Sequence, residues 1–321
     1  SDGGPRFPGA EPAVLSVPIR NPSFTGREKL LEFVRERLRA GNGTVVMRGM
    51  GGVGKTMLAL EFAHRFKGDY DVVWHIQADQ RNLAVEQYAG LAGPLEVAER
   101  KNPTATAIGV KDALRLGRPY SRWLLILDNV EHVSDLSDLL VSSKSGNILV
   151  TSQRSEGWER YAEIVDVGVF EREESVAHLK RRLTECSTEE ADEVASALGD
   201  LPLAVEHAAA VLKESGLQTQ EYVKLLERQP AADTAGLSPD DRLLDVSKTW
   251  SVAIEQLNKN FPPAVQLLKL AAWFSPEPIS MDLLQSTQIA QALTGQNGPA
   301  DREFRPRAFD STEMIARAFQ E

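Results

Sequence analysis

Residues 49–56 read Gly49-Met50-Gly51-Gly52-Val53-Gly54-Lys55-Thr56, which satisfies the pattern G-x-x-x-x-G-K-[ST]. Closely spaced glycines let backbone N–H groups close round the α- and β-phosphates, where side chains would otherwise intrude. An ammonium in the position of Lys55 reaches β- and γ-oxygens, and a hydroxyl in the position of Thr56 can ligate Mg²⁺. The candidate cradle is therefore Gly51, Gly52, Val53, Gly54, Lys55, Thr56 and Met57. Its context makes the pattern specific: "TVVMRG" precedes it as a β-run, and "TMLALEFAHRF" follows as an amphipathic helix.

A second group faces the first in function. The run "WLLILDNVEH" is a buried strand ending in an acid, so Asp128 is expected opposite the phosphate loop, holding Mg²⁺ through water. The next residue is Asn129, and an amide cannot take the proton of an attacking water. Glu131 is the nearest further carboxylate and the candidate base, but it also reads as a solvated loop acid. The pattern leans towards slow hydrolysis.

These groups need a scaffold. From 44 to about 170, strand-like runs alternate with helical stretches: 44–49, 71–77, 123–128, 147–152 and 163–170. Near-continuous apolar and β-branched runs are expected of strands buried on both faces of a parallel sheet. The fold expected is α/β: a doubly wound parallel sheet with helices on both faces and its ligand chemistry at the carboxyl ends of the strands. Beyond 171 the periodicity becomes helical, with "EREESVAHLKRRLTE", "TEEADEVASALGD", "LPLAVEHAAAVLKESG" and "QEYVKLLERQ" forming a small bundle. A turn-rich linker at 229–241 leads to further helices, "RLLDVSKTWSVAIEQL", "PPAVQLLKLAAWF" and "ISMDLLQS". The five prolines within 1–22 mark an arm lying on the first domain, and "REKLLEFVRERLRA" after it is helical by spacing.

Composition narrows the possibilities. Of 321 residues, 42% are hydrophobic and 26% charged, enough for several cores. A formal net charge of −10 and the lack of a Lys/Arg block argue against direct nucleic-acid binding. A single cysteine, Cys186, excludes an internal disulfide and a cysteine-cluster metal site. The histidines at 64, 75, 132, 178 and 207 form no metal-ligand spacing, and no nucleophile triad is readable. No apolar run reaches the ~18 residues of a membrane span, and no signal peptide opens the chain, so a cytoplasmic location without membrane contact is expected. The opening "SDGG" and closing "ARAFQE" look like cut edges.

Five segments occur in a telling order: "FTGREKLL" (24–31), "GMGGVGKT", "LLILDNVE", "ILVTSQR" (148–154) and "GDLPLAVEHA" (199–208). Over residues 20 to 275 the chain resembles the NB-ARC branch of the STAND signalling NTPases, most of all bacterial members in which tetratricopeptide repeats follow the ATPase core. The resemblance implies a P-loop NTPase binding ADP or ATP with Mg²⁺. It implies backbone bonds from Thr25 and a side-chain contact from Arg27 to the adenine, with Pro202 closing on the base or ribose from the helical domain. Read from the residues alone, Arg27 and Glu28 only begin a helix, and Pro202 is an N1 proline. An arginine after Thr-Thr or Thr-Ser would sense the γ-phosphate in this family; here Gln153 intervenes, so Arg154 sits one place late. The family's late "MHD"-like histidine latch is not found before Glu321, which is taken to mean that the winged-helix domain is cut short.

The expected division is an arm (1–22), a P-loop nucleotide-binding domain (23–170), a helical domain (171–229) and a partial winged-helix domain (230–321). The function expected is a nucleotide-dependent switch controlling a larger protein. Self-association would follow ATP binding, and effector or sensor domains would lie outside this chain. The alternative is the ATPase core of a transcriptional regulator or a DNA-loading ATPase. A metabolic P-loop kinase would need a substrate lid and an acceptor site, neither of which is readable.

Overall fold

In the computed structural model, which describes residues 10–40, 43–141, 146–154, 156–229, 246–274, 279–284, 286 and 289, the β-runs assemble as one parallel sheet. Its strands are β1 (Val14–Ser16), β2 (Thr44–Arg48), β3 (Val72–Gln77), β4 (Trp123–Asp128), β5 (Asn147–Ser152) and β6 (Glu163–Asp166), in the spatial order β1-β3-β4-β5-β2-β6. Every pairing is parallel, so all strand carboxyl ends lie along one edge. Every residue of β4 is buried, as a strand covered on both faces requires.

Side chains alternate between the two faces with period two. Val46, Val72, Ile76, Trp123, Leu125 and Leu127 point into one core, together with Tyr88 and Leu114. The intervening Val45, Met47, Val73, Leu124, Ile126 and Leu149 are equally buried on the other face. Helices α1 (Glu28–Ala40), α2 (Lys55–Phe66), α3 (Arg81–Ala89), α4 (Pro103–Leu116) and the short α5 (Val133–Leu136) complete this α/β layer. α3 and α4 supply Tyr88 and Leu114 to the first core; α2 packs on β4 and β5.

The arm holds more structure than its prolines suggest. Val14, Leu15 and Ser16 form β1 on the sheet edge, pairing with Val72, Val73 and Trp74. A three-residue strand between Pro12 and Pro18 is too short for a periodicity signal, and an edge position tolerates the flanking prolines. Further along, Arg20 donates from Nε (2.9 Å) and Nη2 (2.7 Å) to the two oxygens of Glu61 on α2. Arg65 donates to the same carboxylate at 2.5 Å. Burial raises the Glu61 pKa, but the Arg20 and Arg65 hydrogen bonds outweigh it and hold the carboxyl below its ordinary value.

After β6 the chain is helical: α6 (Arg172–Arg182), α7 (Thr188–Ala197), α8 (Pro202–Ser215) and α9 (Thr219–Arg228). Ser187 Oγ accepts from the Glu190 N–H at 3.1 Å, and Glu190 reaches back to the Ser187 N–H at 2.8 Å, a reciprocal cap that starts α7. Pro202 opens α8 where a missing N–H costs nothing, and Gly216 in the left-handed region ends it.

The chain divides into two compact units, one running through Lys224 and the other holding Leu225–Pro230 and the residues from Lys248 onward. The sheet and α6–α8 share the first unit. The second contains α10 (Val246–Asn260) from Lys248 on, α11 (Pro262–Ala271) and α12 (Met281–Leu284), with Leu267, Leu284 and Ile289 as a small core. Most of the segment expected to form a winged helix (230–321) lies outside the described residues. Among the described residues, no helix is long and apolar enough to cross a membrane.

Candidate functional site

The glycine-rich turn leaves β2 at the carboxyl edge of the sheet and runs into α2. Two of its glycines are required by local geometry. A Cβ on Gly49 would lie 2.3 Å from the Val167 carbonyl oxygen, which is backbone and cannot yield. Gly54, the residue before α2, has φ +87°, a conformation that side chains disfavour. This turn leaves the first N–H groups of α2 pointing outward, an arrangement suited to anions.

The Lys55 ammonium folds over the turn, donating to the carbonyls of Gly49 (2.7 Å) and Met50 (2.9 Å). Burial lowers its pKa, and the charge of Asp128 pulls the other way. Thr56 Oγ1 donates to Asp128 Oδ1 at 2.9 Å. The spatial order of strands explains how that bond forms. β5 lies between β2 and β4, so Asp128 must reach across the end of β5. Thr151, at that end, bridges the gap: its Oγ1 donates to Asp128 Oδ1 at 2.5 Å and accepts from the Asn129 N–H at 2.8 Å. His75 Nε2 stands 3.5 Å from Asp128 Oδ2, at the long limit of a hydrogen bond. Burial pushes the Asp128 pKa up, but His75, Thr151 and Thr56 together hold it below the usual carboxylate value.

A cavity of about 440 Å³ opens over this constellation, within the ordinary range for a small-molecule site. Gly51 to Leu58 form its floor, Asn129, Thr151 and Gln153 one side, and Asn21, Ser23, Phe24, Thr25 and Arg27 another. Pro202, Leu203 and Glu206 of α8 close it from above the turn. The Leu203 N–H donates to the Gly52 carbonyl at 3.1 Å, so an orphan donor of α8 is satisfied by the phosphate-loop backbone. The N-termini of α2 and α8 both adjoin the cavity, and each favours negative charge.

The segment from Phe24 to Arg27, just before α1, is locked in place by α6. The Arg27 N–H donates to Glu174 Oε1 at 2.5 Å, and Arg27 Nη2 donates to the Gly168 carbonyl at 2.8 Å. The guanidinium lies 4.9 Å from the centre of the Phe170 ring. Thr25 Oγ1 donates to the Ser23 carbonyl at 3.0 Å and sits 3.3 Å from His178 Nδ1.

Thus Thr25, Arg27, Gly51, Gly52, Val53, Gly54, Lys55, Thr56, Met57 and Pro202 line a single cavity, with Asp128 bonded to its floor through Thr56. Arg154 and Glu131 do not line it; both are exposed. Ser152 Oγ accepts from the Arg154 N–H at 3.1 Å and donates to the Val130 carbonyl at 2.7 Å. That local turn leaves Gln153, not Arg154, on the cavity wall. Sequence reasoning passed over Gln153, His178, Leu203 and Glu206 as site residues. A lone histidine or glutamate on a helix carries no motif, although "GDLPLAVEHA" already held Leu203 and Glu206.

The donor set suits a magnesium nucleotide. Among the described residues, no group of three His, Cys, Asp or Glu side chains could hold a metal alone. One hydroxyl and one carboxylate beside an anion cradle match Mg²⁺, which keeps waters and shares phosphate oxygens.

A parallel sheet whose buried strand enters a glycine-rich turn and a lysine-threonine helix start, with an acid from a second strand bonded to that threonine, defines a P-loop NTPase. Residues 27–185 match the family described as NB-ARC domain, and that segment of the chain belongs to the family. It is 25% identical over 324 residues to a nucleotide-binding leucine-rich repeat (NLR)-like protein of Hyaloscypha variabilis, covering 84% of this chain and 31% of that one. It is 27% identical over 269 residues to the regulatory protein AfsR of Streptomyces griseus, covering 79% and 27%. The chain thus spans under a third of these curated relatives' length. Among solved structures it is similar to the STAND protein with a tetratricopeptide repeat sensor from Pyrococcus horikoshii. That match has 16% identity and a TM-score of 0.41, and covers 98% of this chain and 54% of that one.

Proposed function

We propose that this protein is a nucleotide-dependent switch that binds ADP or ATP with Mg²⁺, hydrolyses ATP slowly, and thereby controls a larger protein. The observation that carries this reading is the closure of the phosphate-loop cavity by α8, with Leu203 bonded to Gly52. A nucleotide bound there touches the sheet and the helical segment together, so different contacts for ADP and ATP can shift how the two are held. Thr25 and Arg27 would bind the base, Gly51 to Met57 the phosphates, and Pro202 the base or ribose. Thr56 and Asp128 would hold Mg²⁺. Arg154 would have to move to sense a γ-phosphate, and Glu131 would have to move to act as base. Self-association on ATP binding, effector domains and a cytoplasmic setting complete the reading.

Purified protein is expected to carry ADP, seen when acid-extracted supernatant is run on anion exchange. Protein that is free of nucleotide and also ignores added ADP in a calorimetric titration would overturn the reading.

The second reading, the ATPase core of a regulator that acts on DNA, is favoured by the Streptomyces relatives being named regulatory proteins. A net charge of −10 weighs against direct contact by this chain. Salt-dependent binding of duplex DNA by this chain would favour it over the switch.

A further inference from the structure

A carboxylate is out of place in the wall of a cavity built for polyphosphate, yet Glu206 lines it. Its two oxygens are engaged: Oε2 lies 2.6 Å from His178 Nε2, and Oε1 lies 2.7 Å from Arg182 Nη2. His178 is itself buried and held through Nδ1 against Thr25. The His178 hydrogen bond and the Arg182 charge keep the Glu206 pKa low against the opposing effect of burial. Glu206 is therefore a fixed, ionised acceptor. Each oxygen uses one position and has a second free to accept from a ligand. The ligand group facing it must be a donor, and a phosphate is not.

Position along α8 indicates which donor. Leu203 is bonded to the phosphate loop at Gly52. Glu206 follows three residues later on the same helical face, roughly 4.5 Å further along the axis. The flat surfaces that suit a base, Phe24, Arg27 and Phe170, belong to the segments just before α1 and α6. Through His178, whose ring lies 6.1 Å from that of Phe170, Glu206 adjoins those surfaces, while Leu203 ties its helix to the phosphate loop. We propose that Glu206, oriented by His178 and Arg182, accepts hydrogen bonds from the ribose 2′- and 3′-hydroxyls and makes the site selective for ribonucleotides over deoxyribonucleotides.

This proposal rests on the nucleotide-binding reading, and the test separates the two. Calorimetric titration of the full chain with ADP, 2′-deoxy-ADP, 3′-deoxy-ADP and inosine diphosphate is the measurement. Each deoxy analogue should bind about tenfold or more weakly than ADP, since it leaves a charged acceptor unpaired. In Glu206→Gln the gap between ADP and 2′-deoxy-ADP should shrink to about threefold or less, while His178→Asn should shrink it only partly. Equal binding of ADP and both deoxy analogues by the wild-type protein overturns the proposal while leaving nucleotide binding intact. So does a Glu206-dependent loss confined to inosine diphosphate, which would assign the carboxylate to the base amine. Absence of binding by every nucleotide defeats the underlying reading instead.

Discussion

The Leu203 N–H donates to the Gly52 carbonyl across 3.1 Å, joining the first turn of α8 to the phosphate loop through backbone alone. Residues separated by most of the nucleotide-binding fold thus meet over one cavity. A Cβ on Gly52 would stand 3.1 Å from Leu203 Cβ, at a residue whose φ is +79°. Gly52→Ala should therefore cost about 1–2 kcal/mol of stability from the left-handed backbone alone. It should also weaken ADP binding by pushing α8 away. Denaturant unfolding and ADP titration of the same sample check both effects; unchanged values would mean that the contact is dispensable.

Lys55 is the principal cation of the cradle, tethered to the Gly49 and Met50 carbonyls. Lys55→Ala should reduce ADP affinity by at least roughly tenfold, the worth of a charge-assisted hydrogen bond. The affinity is read by calorimetry. Binding within twofold of wild type would remove Lys55 from the site.

Asp128 is bonded to Thr56 and Thr151 on the cavity floor. Asp128→Ala should weaken Mg-ATP much more than ADP, because Asp128 with Thr56 would hold the Mg²⁺ that accompanies the triphosphate. Paired titrations with and without Mg²⁺ measure the difference, and equal losses for both nucleotides would contradict metal placement here.

Hydrolysis should be slow. Asn129, next in the chain after Asp128, lines the cavity, while Glu131 and Arg154 lie outside the lining. Lacking a placed general base commonly forfeits ~10²–10⁴-fold in rate. Turnover below about one per minute is expected, against ~1–10³ s⁻¹ for ordinary enzymes. Asn129 has φ +61°, which aspartate also tolerates, so Asn129→Asp should leave ADP affinity nearly unchanged. It should raise the rate only where water can reach that position. Steady-state phosphate release decides this, and several turnovers per second would mark a motor.

Glu61 gives a pH signature. Its folded pKa is depressed by Arg20 and Arg65, so its stabilising contribution is present above the ordinary unfolded glutamate value of ~4.3. That contribution is lost as pH falls through the lower folded value. Glu61→Gln should cost about 1–3 kcal/mol at pH 7, with the difference from wild type shrinking as pH falls below the ordinary glutamate value. Unfolding curves across that window test it; a pH-independent difference would show that the ion pairs contribute nothing.

Local rules made much of this protein legible in its sequence. The apolar runs at 123–128 and 147–152 are strands with those bounds because burial on both faces demands unbroken hydrophobicity. The glycine spacing before Lys55 marked the anion cradle, since few other residues permit that backbone course. Tertiary structure decided what depends on distant neighbours. The insertion of β5 between β2 and β4 makes Thr151 the bridge to Asp128. Packing of α8 brings Leu203 and Glu206 over the loop. The turn after Ser152 sends Gln153 rather than Arg154 to the cavity. Periodicity reports which face of an element is buried; it carries no information about which residue, far away in the chain, will be buried against it.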